Sequence, residues 1–284
     1  MTTIMKYFQT DLLLALCQDT NIPQEISCEV VSFAETFDIM PVAHLVEDLC
    51  LADKAEAANQ ALQALINDPA LGDDPRGIRI LTMHLTAALK SRDLYAQKGI
   101  CDHIFIDTMK CFSRFIREYR VQFGHYGFDR SFWTWRHPAL LIFRLGTLEF
   151  EIKILENKNV LSVHIPSDAV MTREGLDASY KWAKTFFAQY FNDFHYEHIY
   201  CGTWLLSPVL KELLPEDSKI LNFMSDYEIF KVNPDSQGFM RWVYKQTYPD
   251  LSSLPEETSL QRIIKKHLLA GGKIGDASGY YIYR

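Results

Sequence analysis

The sequence predicts an α+β fold. An N-terminal α-helical bundle is expected over residues 1–124, followed over residues 125–284 by a mixed β-sheet domain flanked by helices. Three observations predict it. Apolar residues recur at helical spacing through the first half, with almost no strand pattern. After Gly124 aromatic density rises (Tyr126, Phe128, Phe132, Trp133, Trp135) and β-branched runs appear. Finally, Leu148, Phe150, Ile152 and Ile154 alternate with Thr147, Glu149, Glu151 and Lys153, the period of a strand with one buried face.

In the first half, Ile4, Tyr7, Phe8, Leu12, Ala15 and Leu16 form the first helical stripe. Pro23 suits a first helical position, with Asn21 before it as a cap. Pro41 restarts the chain, and residues 53–67 are alanine-rich with helical spacing. Pro69, Gly72, Asp73, Asp74 and Pro75 mark a break. Long helices are expected over 76–97 and 101–123, separated by Gly99. The bundle of about six helices holds no charged constellation that calls for chemistry, so it reads as a packed structural domain, with a docking or substrate-cap module as the alternative.

In the second half, the strand ending near Ile154 turns at 156–159 and pairs with a second strand over 160–165. Pro166 ends that strand, and a helix is expected over 173–191 with Leu176, Tyr180, Ala183, Phe187 and Tyr190 on one stripe. Residues 198–206 read as a third strand, and Ser207-Pro208 as the start of a short helix. Residues 227–232 and 239–245 read as a second hairpin. A last helix is expected over 258–270, with a terminal strand over 280–283. A strand, a crossover helix and a parallel strand thus sit between antiparallel flanks, and clefts for extended ligands form where such a sheet parts.

Lys plus Arg is 29 and Asp plus Glu is 36, a formal charge of −7. That balance argues against a nucleic-acid binder and against adhesion to anionic membrane. The apolar run Leu12–Cys17 is too short and too closely flanked by acid for a signal-peptide core, so a cytoplasmic location without a membrane span is expected. Six cysteines are scattered without a CxxC pair and read as core residues. Asp193, His195, His198 and Cys201 invite a metal reading, and with it a metal hydrolase. Their side chains diverge across a helix-to-strand turn, so no metal is expected. Gly271-Gly272-Lys273-Ile274-Gly275 leaves a helix where a phosphate loop would enter one, and reads as a helix C-cap.

The stretches FRLGTLEFEI, VLSVHIPSDA, YCGTWLLSP, SKILNFMSDYEIF and SLQRIIKKHLLAGGKIG resemble a bacterial two-domain acyltransferase family. That family has a helical N-terminal domain and a GNAT-like C-terminal domain. The resemblance implies transfer of an acyl group from acyl-CoA, acetyl-CoA or longer, to a small-molecule or peptide amine by direct attack on the thioester. A non-catalytic GNAT-shaped acyl-CoA sensor or assembly module is the alternative. GNAT enzymes cradle the donor pyrophosphate with a glycine-rich loop at a helix N-terminus. The equivalent segment here, IPSDAVMTREGLDA, has the single glycine Gly175 and places Arg173 where that loop begins. A carrier-protein pantetheine is therefore an alternative donor.

Acyl transfer needs the amine deprotonated, the carbonyl oxygen held and the thiolate protonated. The resemblance puts His164 nearest the thioester, as base; otherwise it is a histidine bonded at a sheet edge. Glu149 and Glu151 share a strand face with Lys153 and read as a solvated charged row, or else as carboxylates drawing a proton through water. Amides near Ile165 and Ser167 would meet the thioester and pantetheine. Thr172, Arg173 and Gly175 would meet the phosphates, and Asp168 would orient an amine or mark the helix start. Trp204 would wall the pantetheine channel. Ser207 would replace the tyrosine acid that GNAT enzymes carry on the next helix and that is missing here between residues 207 and 214, or it would cap that helix.

Overall fold

The computed structural model describes residues 3–66, 74–245 and 248–282. The expected break over 69–73 lies outside the described residues. Two compact units divide the chain, Met1–Arg144 and Leu145–Arg284.

The first unit is helical. Its α-helices are α1 (Thr10–Asp19), α2 (Gln24–Thr36), α3 (Ala43–Asp48), α4 (Ala55–Ile66), α5 (Ile78–Gln97), α6 (Asp102–Phe123) and the single turn α7 (Ser131–Thr134). Helix α5 is the centre: every residue from Ile80 to Leu89 is buried, as in a helix surrounded on all sides. Its polar members are satisfied internally. Thr82 and Thr86 donate to carbonyls one turn back, and His84 lies 2.9 Å from both Thr134 Oγ1 and Asn59 Oδ1. Complete burial, with His137 nearby, pushes the His84 pKa down to about 3. Helix α6 ends at Gly124, whose φ of 81° supplies the left-handed C-cap.

The composition shift after Gly124 precedes the unit boundary because the aromatic segment packs back into the helices. Phe128 N donates to Arg76 O, and the Phe128 ring meets Phe112 and His84. Phe143 lies against Tyr95.

The second unit carries β2 (Leu148–Leu155), β3 (Lys158–His164), α8 (Arg173–Tyr190), β4 (His198–Thr203), α9 (Leu210–Leu213), α10 (Lys219–Met224), β5 (Tyr227–Asn233), α11 (Gly238–Val243), α12 (Ser259–Leu269) and β6 (Asp276–Tyr281). With β1 (Ile142–Leu145), which straddles the boundary, the strands make one mixed sheet in the order β1-β2-β3-β4-β6-β5. Between β1 and β2, Gly146 has φ 72°, and Ser179 of α8 stands where a Cβ would be. Glu156 and Asn157, both with positive φ, form the two-residue turn of the β2–β3 hairpin. Strands β3 and β4 are parallel, joined through α8. Leu176, Tyr180, Ala183 and Phe187 of that helix are buried at the spacing the sequence predicts.

The fold class is as expected, and four elements differ. The third strand ends at Thr203, and a 3-10 turn, Trp204–Leu206, replaces its last residues. Residues 239–245 are not a strand. They lie mostly in α11, whose buried Phe239 and Val243 stand four apart on one helical face. A short apolar run of that length fits either period. Strand β5 therefore pairs with β6, which begins at Asp276 and lies between β4 and β5. Helix α10 was not foreseen; it is capped by Ser218, which accepts from Ile220 N.

Candidate active site

Parallel pairing between β3 and β4 covers three residue pairs, ending at Ser162 and Tyr200. Both strands run on, β3 to His164 and β4 to Thr203, with β4 now paired only to β6. Beyond the last pair it is a side chain that spans the gap. Cys201 Sγ reaches Val163 O at 3.5 Å, and burial holds that thiol protonated by raising its pKa far above the usual value. The parallel ladder between β3 and β4 thus stops at Ser162 and Tyr200, short of the ends of both strands.

At this parting β3 ends on His164. Its Nε2 lies 2.8 Å from Glu151 Oε2 on β2. An Nε2–H facing a carboxylate leaves Nδ1 as the basic nitrogen. In register, His164 stands opposite Glu149, and Ser162 opposite Glu151. These four residues share one sheet face, since alternate strand residues point the same way. The expectation of a solvated Glu-Glu-Lys row is overturned. Glu149 is 3% exposed and Glu151 6%, while Lys153, next on that face, is only half-buried. Alternation predicted a shared face correctly but carried no information on what covers it.

The same face continues across the sheet. Tyr200 stands opposite Ser162 on one side and Tyr280 on the other. Tyr280 stacks on His198 and on Phe230, with ring centroids 4.3 and 4.4 Å apart. Behind the sheet, against α8, Tyr180 and Tyr227 share a buried hydroxyl bond of 2.6 Å, and burial raises both pKa values.

The remaining predicted residues are dispersed. Ile165 follows β3 directly, and Ser167 and Asp168 lie in an exposed turn closed by Ala169 N donating to Pro166 O. Thr172 caps α8, its Oγ1 accepting from Gly175 N at 3.2 Å. A Cβ on Gly175 would press on Thr172 Oγ1 and Val170 O, so this helix start is tight. Trp204, half-buried, opens the 3-10 turn after β4.

Two residues do other work than expected. Arg173 points its guanidinium at Asp226, 2.8 Å from both carboxylate oxygens, and at Asp177. Asp226 is 2% exposed, so Arg173 serves as the counter-charge of a buried acid. Ser207 is fully buried. It neither caps α9 nor faces the parting; its Oγ donates to Ile274 O at 2.5 Å, tying the exit of β4 to the entry of β6.

Among the described residues no three His, Cys, Asp or Glu side chains gather to hold a metal ion. His198 stacks on Tyr280 while Cys201 lies in the core. No described helix is long and apolar enough to cross a membrane.

Comparison with known proteins bears on this arrangement. The family model for an N-acyltransferase N-terminal domain matches residues 11–140, and that for a GNAT-like C-terminal domain matches residues 142–281. No curated protein matches the chain. An acyltransferase solved with decanoyl-CoA and teicoplanin is 21% identical, with a TM-score of 0.80 over 96% of this chain and 88% of that one. An acyltransferase mutant solved with octanoyl-CoA is 21% identical, with a TM-score of 0.78 over 95% of this chain and 87% of the other.

Proposed function

The chain belongs to the two-domain acyltransferases with an N-acyltransferase N-terminal domain and a GNAT-like C-terminal domain, acyl-CoA-dependent enzymes, and from that premise we propose that it acylates an amine by direct attack on the thioester. The observation that carries this reading is the end of β3–β4 pairing at Ser162 and Tyr200, beside the His164–Glu151 pair. The donor's pantetheine arm enters where the strands part, between the backbone near Ile165 and Ser167 on one side and Trp204 on the other. The phosphates lie toward the start of α8, at Thr172 and Gly175, where backbone N–H groups and the helix dipole favour anions.

His164 Nδ1 takes the proton of the attacking amine. Glu151, hydrogen-bonded at Nε2, holds the ring and stabilises the imidazolium that forms. Glu149, opposite His164 in register, adds a second buried carboxylate to that stabilisation. No covalent intermediate forms on the protein. Amine attack makes the C–N bond, collapse breaks the C–S bond, and the amide leaves with the thiol.

Of the two acyltransferase structures compared above, one contains decanoyl-CoA and teicoplanin and the other octanoyl-CoA. Medium-chain acyl-CoA and an amine on a peptide-derived acceptor are thus the first pair to test. Calorimetry with acetyl-, octanoyl- and decanoyl-CoA, followed by thiol release over a panel of amines, is the experiment. Binding with amine-dependent release is expected. Binding without release on any amine points to a sensor, and no binding overturns the reading.

A further inference from the structure

We propose that the hydroxyl of Tyr200 is the proton donor to the departing thiolate; this rests on the acyl-transfer reading above. Tyr200 stands in the straight row Glu151, Ser162, Tyr200 across β2, β3 and β4, on the face that carries His164. It is also the last residue of β4 to pair with β3. Two residues on, the same face carries Gly202, which has no side chain. The Tyr200 phenol leans over that glycine, so that a Cβ there would collide with Tyr200 Oη. The lean carries the hydroxyl along β4, past the last β3–β4 pair, to the level of Gly202. Had the parallel ladder continued at its spacing, Gly202 would stand opposite His164. Base and hydroxyl therefore stand at one level along the sheet, His164 at the end of β3 and the hydroxyl over Gly202 of β4.

The hydroxyl is held there. Ser278 of β6, opposite Gly202 in register, lies 2.9 Å from Tyr200 Oη. Tyr280 and Phe230 pack beside the ring at 6.4 and 6.3 Å, and Lys153 Nζ lies 6.0 Å over it. Burial raises the Tyr200 pKa against the opposing pull of Ser278, which keeps the phenol protonated at neutral pH. The family's usual tyrosine is missing after β4, and Ser207, the residue expected to replace it, spends its proton on Ile274.

The step balances. As the C–S bond breaks, its electron pair goes to sulfur, which takes the proton from Tyr200 Oη. Ser278 donates to the phenolate that remains. His164 holds the proton taken from the amine, and solvent returns it to Tyr200, so the net products are amide and thiol.

The test compares two donors: decanoyl-CoA, and the decanoyl thioester of an electron-poor thiophenol, whose thiolate leaves without a proton. Tyr200→Phe is expected to lower kcat/KM about a hundredfold with decanoyl-CoA and to leave the aryl thioester unchanged. His164→Ala is expected to slow both donors. Gly202→Ala, which displaces the hydroxyl without removing it, is expected to give the same donor-dependent loss in milder form, with circular dichroism confirming the fold. Equal loss on both donors, or no loss on either, in Tyr200→Phe overturns the assignment and leaves the acyl-transfer reading standing. A wild-type protein that acylates no amine with either donor overturns both.

Discussion

His164 Nε2 and Glu151 Oε2 lie 2.8 Å apart, a hydrogen bond between the last residue of one strand and a buried carboxyl group on the neighbouring strand. In the proposed mechanism Glu151 acts as an anion, because a proton arriving on Nδ1 makes the ring a cation beside a buried carboxyl group. His164→Ala is expected to lower kcat by about a hundredfold or more, and Glu151→Gln, which keeps shape and hydrogen bonding, by about tenfold. Steady-state thiol release measures both. A Glu151→Gln variant as fast as the parent removes the carboxylate from the mechanism.

Arg173 gives a prediction of opposite kind. Removing it leaves Asp226 buried without its counter-charge. The guanidinium is 29% exposed, so the loss falls below that of a fully buried pair: Arg173→Ala is expected to cost about 2 kcal/mol in urea unfolding. Its affinity for decanoyl-CoA is expected to stay close to the parent's. A large loss of affinity in calorimetry, with stability unchanged, returns Arg173 to the phosphate site.

Ser207→Ala removes the donor to Ile274 O inside the core. A cost of about 1–2 kcal/mol is expected, with kcat on decanoyl-CoA unchanged. A variant with full stability and a depressed rate contradicts the buried, structural role.

The helical unit has its own pH signature. His84 is neutral in the folded unit down to about pH 3, while in the unfolded chain it takes a proton near 6.5. The unfolded state therefore binds the extra proton between those values, so stability is lost as pH falls from 6.5 toward 3 and is unaffected above. The slope is about 1.4 kcal/mol per pH unit. Urea unfolding from pH 7 to pH 5 checks it, with His84→Gln expected to flatten the dependence; an equal slope in that variant assigns the effect to other groups.

Much of the fold was legible because its periodicities are long and clean. The stripes of α6 and α8 extend over several turns, and the 147–154 alternation admits one reading. What failed was short. Residues 239–245 and 218–224 are too brief for a period to be decided locally, and their state follows from what they pack against. For β6, the sequence marked a terminal strand but not its interior place, which depends on long-range pairing. At the site, His164 and Glu151 could be nominated as neighbours on a hairpin, since strand alternation sets which residues share a face. Burial of Glu149 and the diversion of Arg173 to Asp226 could not be read, because each needs a partner far along the chain. Tyr200 was passed over because its signal, a glycine two residues later on the same face, has meaning only once the phenol is seen to lie over it.

The interior position of β6 bears on how the second unit is assembled. Strands β4 and β5 never touch as ladders; each waits for the segment Asp276–Tyr281 to arrive between them. On a ribosome, the sheet remains in two unjoined portions until nearly the whole unit has been synthesised, with the edges of β4 and β5 open to stray pairing. A chain cut short before Asp276 therefore loses two ladders at once, and the half-sheet bearing His164 is left with an unsealed flank.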